Sequence, residues 1–191
     1  MILRAAAEEL IGVASVEDFT IDALARRAGL AKGTVYLYFK SKSAILIELL
    51  GDAVGDLAAD IGVKFGKLPE PVTAGQAAAA LRDCLKKSAT KRRLAQLGKS
   101  LSDKDSAISH RRYQERIRPF MEHTDAVIVG RLRGLRPGEG RKIVRFGWAL
   151  LLGLSEIAEQ QPKSTAVPLN VEQSLTESLT LLINGILARS S

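Results

Sequence analysis

Cysteine is almost missing from this 191-residue chain, where Cys84 stands alone. That excludes an internal disulfide and a four-cysteine zinc site, and it fits a reducing compartment. Histidine is nearly as scarce. His110 and His123 are the two present, and neither an H-E-x-x-H, a G-x-S-x-G nor a Walker A pattern occurs. Glu122, His123 and Asp125 could supply metal ligands on paper, but adjacent helix positions diverge by about 100° and do not converge on one ion. No enzyme, metal or cofactor is therefore expected. Long apolar runs are absent too: "FGWALLLGLS" and "SLTLLINGILA" fall well short of the ~20 residues that span a bilayer. The N-terminal "MILRAAAEELIG" carries Arg4, Glu8 and Glu9 where a signal peptide needs an unbroken apolar stretch. A soluble, cytoplasmic protein without a membrane partner is expected.

What remains is an ordinary globular composition. Apolar residues make up 46% of the chain, enough for a sizeable core. The net charge is +7, which invites a nucleic-acid reading. Its distribution complicates that reading, because Arg4, Arg26, Arg27, Lys32, Lys40 and Lys42 are balanced through Leu50 by Glu8, Glu9, Glu17, Asp18, Asp22 and Glu48. The local pattern says more than the total. Between Ala23 and Ile47 stand Arg26, Arg27, Lys32, Lys40 and Lys42 with no acid among them.

Periodicity reads helical nearly throughout and predicts an all-α chain of about nine helices. Ile2, Leu3, Ala6, Leu10 and Val13 form one stripe. Thr20 suits an N-cap with Asp22 in the first turn, Ile21, Leu24, Ala25 and Ala28 make the buried face, and Gly29 suits the left-handed stop. A short helix from about Lys32 to Tyr38 follows, and Ser41 can cap a longer one running to about Gly66. "KLPEPVTAG" breaks the chain, so a domain boundary falls inside that long helix or just after it. Further helices are expected near 73–88, 90–101 and 106–133, the last one containing Pro119. "GLRPGEGRK" reads as a turn, followed by a nearly all-round apolar helix, a loop and a terminal amphipathic helix.

The stretch "GLAKGTVYLYFKSK" crowds Tyr36, Leu37, Tyr38 and Phe39 together, more than one helix face can bury. Two short helices joined at a glycine describe a helix-turn-helix. Phe39 follows Val35 by four residues and shares its inner face, so Phe39 reads as core. Tyr36 and Tyr38 then turn outward. Lys32 and Lys42 sit in first helical turns, where the dipole disfavours a cation. Together with Gly33, they suggest an external anion such as a duplex phosphate backbone. The alternative is a solvated basic face with tyrosines half-buried in their own domain.

"FTIDALARRAGLAKGTVYLYFKSKSAIL" resembles the DNA-binding segment of the tetracycline-repressor (TetR) family, over roughly Leu3 to Leu50. The resemblance implies a homodimeric repressor with a three-helix DNA-binding domain at 1–50 and a helical ligand-binding and dimerisation domain at 51–191. Its partners would be a palindromic double-stranded DNA operator and a small-molecule effector. By position, Lys32, Gly33, Thr34, Tyr36, Leu37 and Tyr38 would face DNA, with Lys42 on a phosphate and Thr20 near the backbone. Thr34 and Leu37 would be placed for base edges, Leu37 only for a thymine methyl. The chain departs from the family at Ala31, where members often carry a capping Ser or Thr, and at Ser43 and Ala44, where an acid is usual. As it stands, the chain also begins part-way into the family's first helix, so no basic N-terminal arm is expected.

Beyond residue 50 the signals are coarser. Phe65, Cys84, Tyr113, Phe120, Met121 and Trp148 are candidate lining of an effector pocket, against the alternative that each is plain core. Few acids lie among them, which points to an apolar effector. Arg82, Lys86, Lys87, Lys91, Arg92, Arg93 and Lys99 could guide an anionic ligand such as a fatty acyl thioester of coenzyme A, or form a solvated face. Ile143, Phe146, Gly147, Leu150, Leu151, Leu154 and Ile157 wrap one helix, and Leu175, Leu179, Leu182, Ile183 and Ile186 stripe the last. Pairing two copies would bury both, the alternative being an intrachain core. A helical adaptor protein is the rival reading of the whole.

Overall fold

The computed structural model describes residues 1–12, 18–86, 107–162 and 168–189, and among them every regular element is an α-helix. These are α1 (Ile2–Gly12), α2 (Ile21–Ala28), α3 (Lys32–Tyr38), α4 (Lys42–Gly66), α5 (Ala74–Lys86), α6 (Ala107–Arg131), α7 (Glu139–Gln160) and α8 (Val171–Leu187). The helix expected near 90–101 lies outside the described residues. The chain forms two compact units, divided inside α4 between Asp56 and Leu57 and inside α6 between Pro119 and Phe120. None of the helices among the described residues is long and apolar enough to cross a membrane.

The first unit holds α1, α2, α3 and the leading parts of α4 and α6. Ile2, Ala5, Ala6 and Leu10 are buried at helical spacing on α1, and Ile21, Leu24 and Ala25 on α2. These two helices pack together, and α3 packs on α2. Arg27 Nε donates to Glu9 Oε2 at 2.6 Å, adding a polar tie between α2 and α1. On α4 the buried set is Ile45, Leu46, Ile47, Leu49, Leu50 and Ala53. The face formed by Glu48, Gly51 and Asp52 serves another purpose. Arg116 of α6 donates to Glu48 Oε2 and Asp52 Oδ1, both at 2.8 Å.

In the second unit α5 packs on α8 and α7, and α7 packs on α8. The alanine run of α5 is more than good helix composition, because Ala77, Ala78 and Ala80 are buried and let neighbours approach. Gly147 of α7 lies in one such close approach. A Cβ there would lie 3.0 Å from Leu179 Cδ2 and 3.1 Å from Leu85 Cδ1. The expected turn at "GLRPGEGRK" is present, with Gly134 and Gly138 at φ 97° and 93°. It is fixed by Asp125, whose carboxylate accepts from Gly138 N at 2.6 Å and Arg141 N at 3.0 Å. A carboxylate at the start of α7 also suits the helix dipole.

Candidate nucleic-acid interface

The head is built by local chain chemistry. Thr20 is extended (φ −120°, ψ 149°), and its Oγ1 accepts from Ala23 N at 3.1 Å, capping α2. Gly29 adopts the left-handed conformation (φ 66°, ψ 30°) that stops the helix. Leu30 N then returns to Ala25 O at 2.9 Å, satisfying a carbonyl that α2 leaves open. Ala31 occupies the N-cap of α3 and offers no side-chain bond, so that helix starts with one cap fewer, worth about 1 kcal/mol. Ser41 Oγ accepts from Ala44 N at 3.1 Å and caps α4.

On α3 only Val35 is buried. Tyr36, Leu37 and Tyr38 are 41%, 74% and 71% exposed, and Lys32 and Gly33 are exposed beside them. Thr34 is half-buried. Phe39 is also only half-buried, which corrects the expectation of a core ring: it lies beyond the last helical residue, in extended backbone with φ −128°. The buried ring of the head is Phe19. It was legible in principle, since Phe19 and Leu24 occupy the positions before the cap and four beyond it that form a hydrophobic staple.

Both lysines meet groups of their own chain. Lys32 Nζ donates to Asp22 Oδ2 at 2.7 Å, linking α3 to the first turn of α2. That hydrogen bond, then the carboxylate's charge, raises the Lys32 ammonium above its ordinary pKa. Lys42 Nζ sits 5.7 Å from the centroid of the Phe19 ring, within cation–π range. The anion inferred for Lys32 is thus supplied, in the isolated chain, by Asp22.

The candidate pocket residues separate. Phe65 and Cys84 are fully buried core, while Phe120, Met121 and Trp148 of the second unit are half-buried. Tyr113, half-buried, belongs to the first unit. Of the basic strip, Arg82 bonds Asp83 and Thr176, and Lys86 pairs with Glu172. Lys87, Lys91, Arg92, Arg93 and Lys99 lie outside the described residues.

The terminal helices also require correction. Leu175 and Leu179, like Ile143, Gly147 and Leu151, are buried within the protomer and cannot meet a second copy as they stand. Leu150, Leu154, Leu182 and Ile186 are half-buried, and Phe146 and Ile157 are half or more exposed. Leu181, at 73% exposure, was missed. It follows Ser174 and Ser178 at helical spacing, on a face whose serines break the apolar pattern.

Residues 3–49 match the family model of the bacterial regulatory proteins, tetR family. Over 50 residues the chain is 42% identical to the fatty acid metabolism regulator protein of Bacillus subtilis (strain 168), a match spanning 26% of each protein. By fold the likeness extends further. The transcriptional regulator FadR from Bacillus subtilis, solved in complex with stearoyl-CoA, gives a TM-score of 0.63 at 19% identity over 95% of both chains. A TetR transcriptional regulator from Rhodococcus sp. RHA1 gives 0.58 at 18% identity, over 95% of this chain and 92% of that one. The multidrug binding protein EbrR, complexed with imidazole, gives 0.62 at 17% identity, over 95% and 92%. The head is a helix-turn-helix of the regulatory type. Residues 3–49 thus carry the segment that the tetR family model describes, and over the rest of the chain the likeness is one of fold.

Proposed function

We propose that this chain is a cytoplasmic DNA-binding transcriptional regulator, a repressor that leaves a palindromic operator when it binds a small apolar or acyl-type ligand. Residues 1–50 form its reading head, and 51–191 its ligand-binding and dimerisation part. The observation that carries the reading is the outward row Tyr36, Leu37 and Tyr38 on α3, flanked by Lys32 and Lys42, within the segment that the family model covers. No fold-stabilising role requires those rings to face water. Exposed aromatic hydroxyls and ammonium groups fit sugar-phosphate contacts that set register, and Thr34 and Leu37 would serve base edges. A homodimer supplies two such heads for successive major grooves, about 34–36 Å apart.

The ligand class rests on the half-buried Phe120, Met121 and Trp148 and on the relative solved with stearoyl-CoA. A ligand that favours one spacing of the heads shifts DNA affinity through about 1–3 kcal/mol of coupling. Duplex binding measured by fluorescence anisotropy tests the core of the proposal. Tyr36→Ala and Lys42→Ala should lose binding with circular dichroism unchanged, and wild-type affinity should fall steeply with salt. Undiminished affinity in both variants would leave the adaptor reading instead.

A further inference from the structure

The Lys32–Asp22 pair has a consequence for how the head meets DNA, and it rests on the DNA-binding reading above. We propose that Asp22 is a built-in competitor for the DNA backbone: it holds Lys32 on a carboxylate that a duplex phosphate must displace. The head's affinity for DNA is thereby set below what its cations alone would give.

Several features of the pair support this. One hydrogen bond of 2.7 Å joins Nζ to Oδ2, and both side chains are at least half exposed, so the ammonium can change partners in place. The pair lies at the start of α3, the helix that carries the outward tyrosines, and ties it to the first turn of α2. Thr20, the other backbone-facing candidate, stands two residues before Asp22, so a phosphate reaching the start of α2 meets the same negative charge. Lys32 is a cation at neutral pH with or without the bond, so it stays charged when it changes partners.

The pairing also extends a pattern. Arg4 pairs with Glu8 and Arg27 with Glu9, so the head neutralises much of its own basic charge. Sequence-independent DNA affinity scales with the number of phosphates that cations neutralise. Withholding Lys32 therefore weakens attachment to arbitrary DNA and leaves more of the recognition to the exposed row on α3.

The test measures binding of a fluorescent duplex of mixed sequence across a salt series, for the wild type, Asp22→Asn, Lys32→Gln and the double variant. Asp22→Asn keeps the side-chain shape at an exposed position, and circular dichroism verifies the fold. It should tighten binding roughly two- to fivefold at low salt. It should also steepen the salt dependence by about one phosphate contact. Lys32→Gln should weaken binding, and in that background Asp22→Asn should give no gain. A gain that persists without Lys32 would mean a general field effect and overturn the proposal. Weaker binding by Asp22→Asn would make Asp22 a positioning residue, also against it. A wild type that binds duplex with Asp22→Asn unchanged removes this inference alone. A wild type that ignores duplex at low salt removes the DNA reading and this inference with it.

Discussion

Arg116 fills the space beside Gly51, where a Cβ would lie 2.6 Å from Arg116 Cγ and 2.7 Å from its Nε. Glycine inside a helix is less stable than alanine by about 1 kcal/mol, so its place in α4 calls for a packing reason. The reason is the stem of Arg116, which crosses there to reach Glu48 and Asp52. Those pairs are partly exposed and contribute about 0.2–1 kcal/mol each. Gly51→Ala is accordingly expected to destabilise the wild type, because the new methyl displaces the guanidinium. In an Arg116→Ala background the same change should stabilise by about 0.5–1 kcal/mol, its intrinsic helix effect. Urea denaturation of the four variants reads the sign reversal. Stabilisation in both backgrounds would show that Arg116 does not hold this place.

Asp83 sits between two cations, with Lys64 Nζ donating to Oδ2 at 2.8 Å and Arg82 Nη2 to Oδ1 at 2.6 Å. Burial pushes its carboxyl up, but the hydrogen bonds from Lys64 and Arg82 outweigh that and hold it below its ordinary value of 3.8. A depressed folded pKa contributes stability that is fully present above 3.8 and is lost as pH falls through the lower folded value. Asp83→Asn should therefore cost roughly 0.5–1 kcal/mol at neutral pH, the exposed flank of the cluster limiting the loss. It should also flatten the decline of the urea midpoint below about pH 4. An acid limb identical to that of the wild type would refute this assignment.

The head was more legible than the rest because its signals are local. Thr20, Gly29 and Ser41 each act on backbone groups within five residues, and each is a residue type with few other reasons to stand there. Phe39 departs from the inner face because α3 ends one residue before it, so helical spacing from Val35 no longer sets its direction. The helix dipole at Lys32 is a local signal, while the partner of its ammonium lies ten positions away across a turn, a distance that periodicity does not reveal. The same blindness to distance hid Arg116, whose partners are 64 and 68 residues off. On the terminal helices, apolar periodicity identified a stripe without saying which neighbour covers it. Leu175 and Leu179 are covered inside the protomer, and Gly147 packs on Leu179 rather than on a second copy.

The division of labour on α3 can be measured directly. Val35 is fully buried, and Val35→Ala should cost about 1–3 kcal/mol by removing buried methyl groups. Tyr38→Ala, on the exposed row, should change stability by less than about 0.5 kcal/mol. Its duplex affinity should nevertheless fall. Phe39→Ala should lie between the two, below the ~3–5 kcal/mol of a fully buried phenylalanine. Thermal denaturation beside a binding assay separates these outcomes, and a large stability loss in Tyr38→Ala would mean that its ring supports the head from within.

The last two helices allow the core and the proposed dimer face to be told apart. Leu179 is fully buried against the Gly147 position, so Leu179→Ala should cost about 2–5 kcal/mol whatever the assembly state. Leu181 stands two positions on, on another face of α8, exposed like Phe146 and Ile157 of α7. If two copies meet there, Leu181→Ser removes apolar area from the interface without opening a cavity in the protomer. Its molar mass by light scattering should then fall towards that of one chain on dilution. Its melting temperature should also fall and lose part of its dependence on protein concentration, because association stabilises the folded state by mass action. Leu179→Ala should instead melt early at every concentration, since the cavity belongs to one chain. An unchanged mass for Leu181→Ser would place the interface elsewhere, because a leucine this exposed contributes little to the isolated protomer and would have to contribute to the pair.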